Sequence, residues 1–151
     1  MQSDRKPRAW NPEATSAYWI NRASRLLMRL HEARLRPLGF GMSQLPVLIA
    51  LEDGGALSQK TLAELARVEQ PTMAEMLARM ERDGVIRREP NPEDKRGSLT
   101  SLTSQSRARI AEAKAALLRG EDEATAGFTQ QEKALLREFL QRVVRNLEAE
   151  G

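Results

Sequence analysis

Cysteine is absent from the 151 residues and histidine occurs once, at His31. No disulfide framework, thiol switch or cysteine-based zinc site is open to such a chain. One imidazole, with no thiol and no glycine-rich phosphate loop, leaves neither a hydrolytic triad nor a zinc centre to assemble, so an enzyme is not expected. No cluster of Asp and Glu suggests a carboxylate metal site, and no cofactor is implied. No apolar run approaches the roughly 18 residues that a membrane span needs. The N-terminal stretch MQSDRKPRAWNPEA is charged but has no apolar segment behind it, so it is not a secretory signal. These absences make the cytoplasm the expected compartment and leave a membrane out of the expected partners.

What is present is a single globular domain's worth of material. Hydrophobic residues make up 40% and charged residues 30%, a balance that folds rather than staying disordered. The net charge of +3 invites a nucleic-acid reading, but its distribution weakens that reading. Residues 1–40 carry eight Lys and Arg against three Asp and Glu, residues 41–118 carry eleven of each, and residues 119–151 carry five against seven. The middle of the chain is neutral. Function has to be read from pattern instead.

Apolar residues Trp19, Ile20, Ala23, Leu26, Leu27, Leu30 and Ala33 recur at helical spacing and predict a helix over about 16–36, ended by Pro37 and Gly39. Residues 1–15 before it are expected to form a mobile arm. A second helix is predicted over 43–52, with Ser43 as its N-cap and Pro46 in its first turn. Ser58 then caps a short helix with Leu62, Leu65 and Ala66 on its apolar side. After a turn at Val68–Glu69, a further helix begins with Pro71 in its first turn and stops at Gly84. Helix, tight turn and helix over 58–83 form a helix-turn-helix. Two strand-like segments follow, Val85–Pro90 and Gly97–Thr103, joined by the turn-forming run NPEDKR, so residues 85–103 read as a β-hairpin wing. Two long helices complete the chain, within 104–149. The fold class is therefore mostly α with a small β-hairpin wing: a winged helix-turn-helix lobe over about 43–103, with terminal helices outside it.

Residues 16–148 resemble the MarR family of regulators. The resemblance is strongest over 57–103, where Asp94 and Arg96 form the family's Asp-x-Arg wing pattern, followed by Leu102 and Thr103. The Gly84 stop and the doubled Arg87–Arg88 also fit. This resemblance implies a transcriptional regulator, in the repressor sense, that binds a pseudo-palindromic operator as a homodimer. It implies that the first and last helices intertwine with those of a partner. It further implies modulation by a small aromatic or anionic ligand. Where relatives often carry another base late in the wing turn, this chain has Gly97-Ser98-Leu99-Thr100. Wing affinity is then expected to rest mainly on Lys95 and Arg96, with Ser98 beside them. The lack of cysteine excludes the thiol-oxidation switch that some relatives use.

In a helix-turn-helix the second helix enters the major groove of duplex DNA. Met73, Met76, Leu77 and Met80 fall on one side of it and are expected in the core. Gln70, Pro71, Thr72, Glu75 and Arg79 fall on the other. Gln70 suits adenine, Thr72 a base edge or a thymine methyl, and Pro71 a thymine methyl. Glu75 has two readings. It accepts from cytosine N4, or it forms the commoner i,i+4 ion pair with Arg79 and aims that Arg at phosphate. Arg96 is the candidate for a narrow minor groove, with Asp94 fixing the wing by bonding backbone or Arg. Arg87 and Arg88 point to opposite faces of a strand, so at most one faces phosphate while the other pairs with an acid. Lys60 is placed to reach a backbone phosphate. For any one of these bases, a merely solvated role competes on even terms.

Dimerisation is a separate matter. Trp19 and Ile20 on the first helix, and Leu136, Phe139, Leu140, Val143 and Leu147 on the last, make an apolar stripe wider than one small domain can cover. The competing arrangement has the two helices pack only on each other and on the lobe. A ligand pocket is expected near Tyr18, Trp19, Met28, His31 and Met42, although each of these taken singly reads more readily as core or interface than as a ligand contact. The principal alternative function is a helical dimer acting through protein partners.

Overall fold

A computed structural model describes residues 9–151. Its elements in chain order are α1 (Ser16–Leu35), α2 (Leu45–Leu51), β1 (Leu57–Ser58), α3 (Gln59–Ala66), α4 (Gln70–Arg82), β2 (Ile86–Asn91), β3 (Asp94–Leu102), α5 (Ser104–Ala124) and α6 (Gln130–Ala149). The chain is thus mostly helical, with one antiparallel sheet in the order β1-β3-β2.

Residues 1–8 of the predicted arm lie outside the described residues. The rest of the arm is tied down. Pro12–Ala14 form a single 3-10 turn, and Trp19 Nε1 donates to the Glu13 carbonyl at 2.8 Å. Thr15 caps α1 by accepting the Tyr18 N–H.

The helix predicted over 43–52 is shorter than expected, and Ser43 is not its cap. Met42–Gln44 form a 3-10 turn and α2 begins at Leu45. The Met42 carbonyl accepts the Leu45 N–H in the tighter 3-10 pattern, and Pro46 falls at the start of α2, where a missing N–H does little harm. Gln44 Oε1 accepts the Gly41 N–H at 3.1 Å and closes the front of the turn.

Ser58 does cap α3, accepting the Thr61 N–H at 3.2 Å. The helix ends earlier than its apolar pattern suggests. Arg67 adopts a left-handed conformation at φ 54°, and Val68 N–H returns to the Ala63 carbonyl at 3.1 Å. This is a Schellman-type stop on a residue that is not glycine. Gly84 ends α4 at φ 72°, as its position in the sequence predicts.

The wing differs from expectation in its turn. Six residues, 91–96, were expected between the strands, but Asn91 pairs with Asp94 and only Pro92 and Glu93 make the turn. The register then jumps, with Pro90 opposite Ser98. Lys95, Arg96 and Gly97 therefore stand opposite no residue of β2, as a bulge. Pro90 cannot donate to the ladder, which favours a break in pairing at that point. β1 escapes the sequence pattern because it is only two residues long, paired as Leu57 with Thr100 and Ser58 with Leu99.

The core lies between α2, α3, α4, the sheet and the start of α5. Leu35, Leu48, Leu51, Leu62, Met73, Leu77, Met80, Ile86 and Leu102 are fully buried there. Burying a Leu, Ile or Met side chain is worth about 1.5–3 kcal/mol each, so this cluster dominates the lobe's stability. α5 is locked onto it by Thr103 and Ser106. Thr103 Oγ1 donates to the Gly84 carbonyl at 2.8 Å, and the buried Ser106 hydroxyl donates to the Val85 carbonyl at 2.7 Å. α6 contributes no buried residue. No described helix is long and apolar enough to cross a membrane.

Candidate nucleic-acid interface

Burial fixes the rotation of α4. Met73, Met76, Leu77 and Met80 face the core, and Gln70, Pro71, Thr72, Glu75 and Arg79 are all exposed on the other side. This division follows from the 3.6-residue period. Arg82, which sequence reasoning passed over, is exposed one turn beyond Arg79; the same period would have found it. The expected Glu75–Arg79 ion pair is not formed. Among the described residues, no ion pair includes either side chain. Both are left exposed, with freedom to turn away from one another. Lys60, in the first turn of α3, is also exposed.

The wing is organised by Asp94. Its Oδ1 accepts the Arg96 backbone N–H at 3.0 Å, and its carboxylate lies over the α-carbon of Gly97. The bulge is thereby tied at its base while the side chains of Lys95 and Arg96 stay exposed. Ser98, the first residue of β3 back in register, is half-buried.

Arg87 and Arg88 take opposite faces of β2. Arg87 is exposed, donating from Nε to Ser101 Oγ at 3.3 Å and lying 3.8 Å from the Glu89 carboxylate. Arg88 shares the inner face with Ile86 and stands opposite the buried Thr100. Its Nε and Nη2 are buried without a partner, as is Thr100 Oγ1.

The apolar stripe sits where the sequence puts it, and it is open. Trp19 is 53% exposed, Phe139 52% and Leu147 69%, while Leu136 and Leu140 are also exposed and Ile20 and Val143 half-buried. Among the described residues, none of α6 is fully buried.

The residues expected to line a ligand pocket fall at two places, Tyr18 and Trp19 at the start of α1 and Met28, His31 and Met42 towards its end. Tyr18 and Trp19 stack edge-on at the start of α1, with ring centroids 5.1 Å apart. His31 lies roughly 20 Å further along the same helix at 1.5 Å per residue. There it packs on Gly120 of α5. The lone histidine is used in helix packing, and Met42 belongs to the turn before α2, its N–H held by Glu32 Oε2 at 2.8 Å. A narrow apolar slot lies elsewhere, between α2 and α5, lined by Leu48, Ile49, Ile110 and Leu117 together with the Glu52–Lys114 ion pair.

A helix-turn-helix whose second helix presents an exposed polar face, followed by a bulged hairpin with free basic side chains, defines a winged helix-turn-helix protein. Residues 40–98 match the MarR family. The chain is 33% identical over 127 residues to the uncharacterized HTH-type transcriptional regulator YwoH of Bacillus subtilis (strain 168), covering 82% of this chain and 92% of that one. It is 44% identical over 62 residues to the transcriptional regulator HosA of Escherichia coli O111:H-, covering 41% of this chain and 46% of HosA. A mutant E. coli MarR complexed with operator DNA superposes with a TM-score of 0.76 at 26% identity, over 90% of this chain and 98% of that one. A probable transcriptional regulator from Pseudomonas aeruginosa gives a TM-score of 0.76 at 26% identity, over 88% and 99%. The chain belongs to the MarR family of transcriptional regulators.

Proposed function

We propose that this regulator binds a pseudo-palindromic duplex operator as a homodimer and represses the genes it controls. In this reading the lobe over 43–103 is the DNA-binding unit, and the helices over 16–36 and 104–149 are the dimerisation unit. The exposed polar strip of α4, backed by four buried apolar side chains, is the observation that carries it. α4 lies in the major groove, with Gln70, Pro71 and Thr72 toward base edges and the amides of its first turn toward a phosphate. Arg96 enters the adjacent minor groove from the bulge held by Asp94. Lys60, Arg79, Lys95 and the exposed Arg87 contact the backbone.

Two observations support the dimer: α6 has no buried residue, and Trp19 on α1 is also an exposed large apolar side chain. An apolar surface of this extent needs a partner, and a second copy supplies the matching stripe by two-fold symmetry. Relief by a small aromatic or anionic ligand belongs to the same proposal. The slot between α2 and α5, at about 20 Å³, holds little more than a water molecule, so a ligand would need a site opened by movement of the helices. Gel-shift titration of the DNA upstream of the protein's own gene tests the operator reading. The proposal requires saturable binding that outcompetes unrelated duplex of equal length, and indifference to sequence would refute it.

A further inference from the structure

We infer that Glu75 reads a cytosine in each operator half-site, accepting a hydrogen bond from its N4 amino group. The inference rests on the DNA-binding reading above and adds to it one base at one position.

Glu75 occupies the middle of the exposed strip of α4, one turn beyond Thr72 and one turn before Arg79. The buried Met73, Met76, Leu77 and Met80 hold the helix in that rotation. A carboxylate in this place is a liability in a groove walled by phosphates. An ion pair with Arg79 would relieve it, but none is formed, and no described cation pairs with Glu75. When α4 docks with Arg79 turned to the phosphate backbone, Glu75 loses water and meets the groove floor as an unneutralised acceptor. Leaving it there without a donor would cost more than an ordinary lost hydrogen bond, because the group is charged.

The groove floor offers two kinds of donor, the N4 amino group of cytosine and the N6 amino group of adenine. A carboxylate is acceptor-only. Beside adenine N6 stands the N7 acceptor, which repels the second carboxylate oxygen. Cytosine carries no acceptor on its own major-groove edge, so both oxygens are tolerated. Guanine and thymine present acceptors where Glu75 needs a donor, and are rejected by repulsion. Glu75 thus selects cytosine by attraction and excludes guanine and thymine by charge.

Binding-site selection from a random duplex library, run in parallel on the full-length protein, Glu75→Ala and Glu75→Gln, tests this. The unaltered protein should enrich a two-fold symmetric motif with cytosine at one position per half-site. Glu75→Ala should keep the rest of the motif, become indifferent at that position, and bind the selected operator about tenfold more weakly. Glu75→Gln should turn that position toward adenine, because an amide both donates to N7 and accepts from N6. Both variants sit on an exposed helix surface, and matched thermal melts confirm that they fold. An unchanged cytosine preference in Glu75→Ala, or tighter binding to every duplex alike, would overturn the inference and leave the operator reading standing. Failure of the unaltered protein to enrich any motif would remove the operator reading itself.

Discussion

The imidazole of His31 on α1 rests directly on the α-carbon of Gly120 on α5, leaving no room for a β-carbon there. One turn further along, Arg34 reaches Glu123 at 2.6 Å, so the two helices are joined by a packed contact and then by an ion pair. Glycine inside a helix normally costs about 1 kcal/mol relative to alanine. Here the ordinary preference should reverse. Gly120→Ala is expected to destabilise the protein by roughly 1–2 kcal/mol through overpacking. Thermal melts of Gly120→Ala, His31→Ala and the double variant check it. The alanine should be harmful alone and neutral or helpful once His31 is gone. Stabilisation by Gly120→Ala in the unaltered background would contradict the contact.

Arg67 ends α3 with φ at 54°, the one non-glycine residue with positive φ among those described. Its ion pair with Glu148 at 3.5 Å joins two exposed side chains and adds little to stability. A left-handed conformation costs a residue with a β-carbon roughly 1–2 kcal/mol, against a smaller entropic cost for glycine. Arg67→Gly should therefore raise stability by about 0.5–1 kcal/mol. A lower midpoint in chemical denaturation would show that the side chain matters more than the backbone.

In the proposed dimer Phe139 and Leu140 are interface residues. Replacing Phe139 with Glu puts a charge in the middle of the apolar stripe on α6, where a partner would have to bury it unpaired. The variant should be monomeric by sedimentation equilibrium at concentrations where the unaltered protein is a dimer. Its helical content should fall little, because α6 has no buried residue within its own chain. A dimer of unaltered affinity would send the interface elsewhere.

Much of this architecture was legible because it rests on local rules. Helical periodicity located the long helices, Gly84 marked the end of α4, and the alternation of buried methionines with polar residues set which side of α4 is exposed. The parts that were not legible depend on interactions a pattern does not encode. Ser43 reads as a cap by residue type, but residues 42–44 form a 3-10 turn ahead of α2, a choice that side-chain type alone does not encode. Arg67 is unremarkable in sequence, since nothing nearby is glycine and the turn forces it left-handed. β1 is too short to carry an alternation. His31 reads more readily as packing than as a ligand contact, but its partner, Gly120, is too far away in the chain for spacing to identify. At the interface, the exposed side chains were foreseen, but the bulge at Lys95–Gly97 and the unmade Glu75–Arg79 pair were not. Both depend on side-chain and register choices that spacing alone leaves open.

Asp94 holds the base of that bulge through the Arg96 N–H at 3.0 Å. Asp94→Ala should leave the dimer and the melting temperature nearly unchanged, since both residues are exposed. It should weaken operator binding several-fold by freeing the wing, with the loss appearing mainly as faster dissociation. Surface plasmon resonance separates the two rates. An unaltered dissociation rate would mean that the wing needs no such tether.

The central claim, that two copies of this chain grip duplex DNA through α4 and the wing, is tested most directly by a salt titration of operator affinity. Fluorescence anisotropy on the selected operator should give a straight line of log affinity against log salt with a negative slope. Arg96→Ala should flatten that slope by about 2 if one cationic contact is lost from each subunit, at roughly 0.9 per neutralised phosphate charge. Binding that ignores salt, or an Arg96→Ala line that overlays the unaltered protein, would contradict the account.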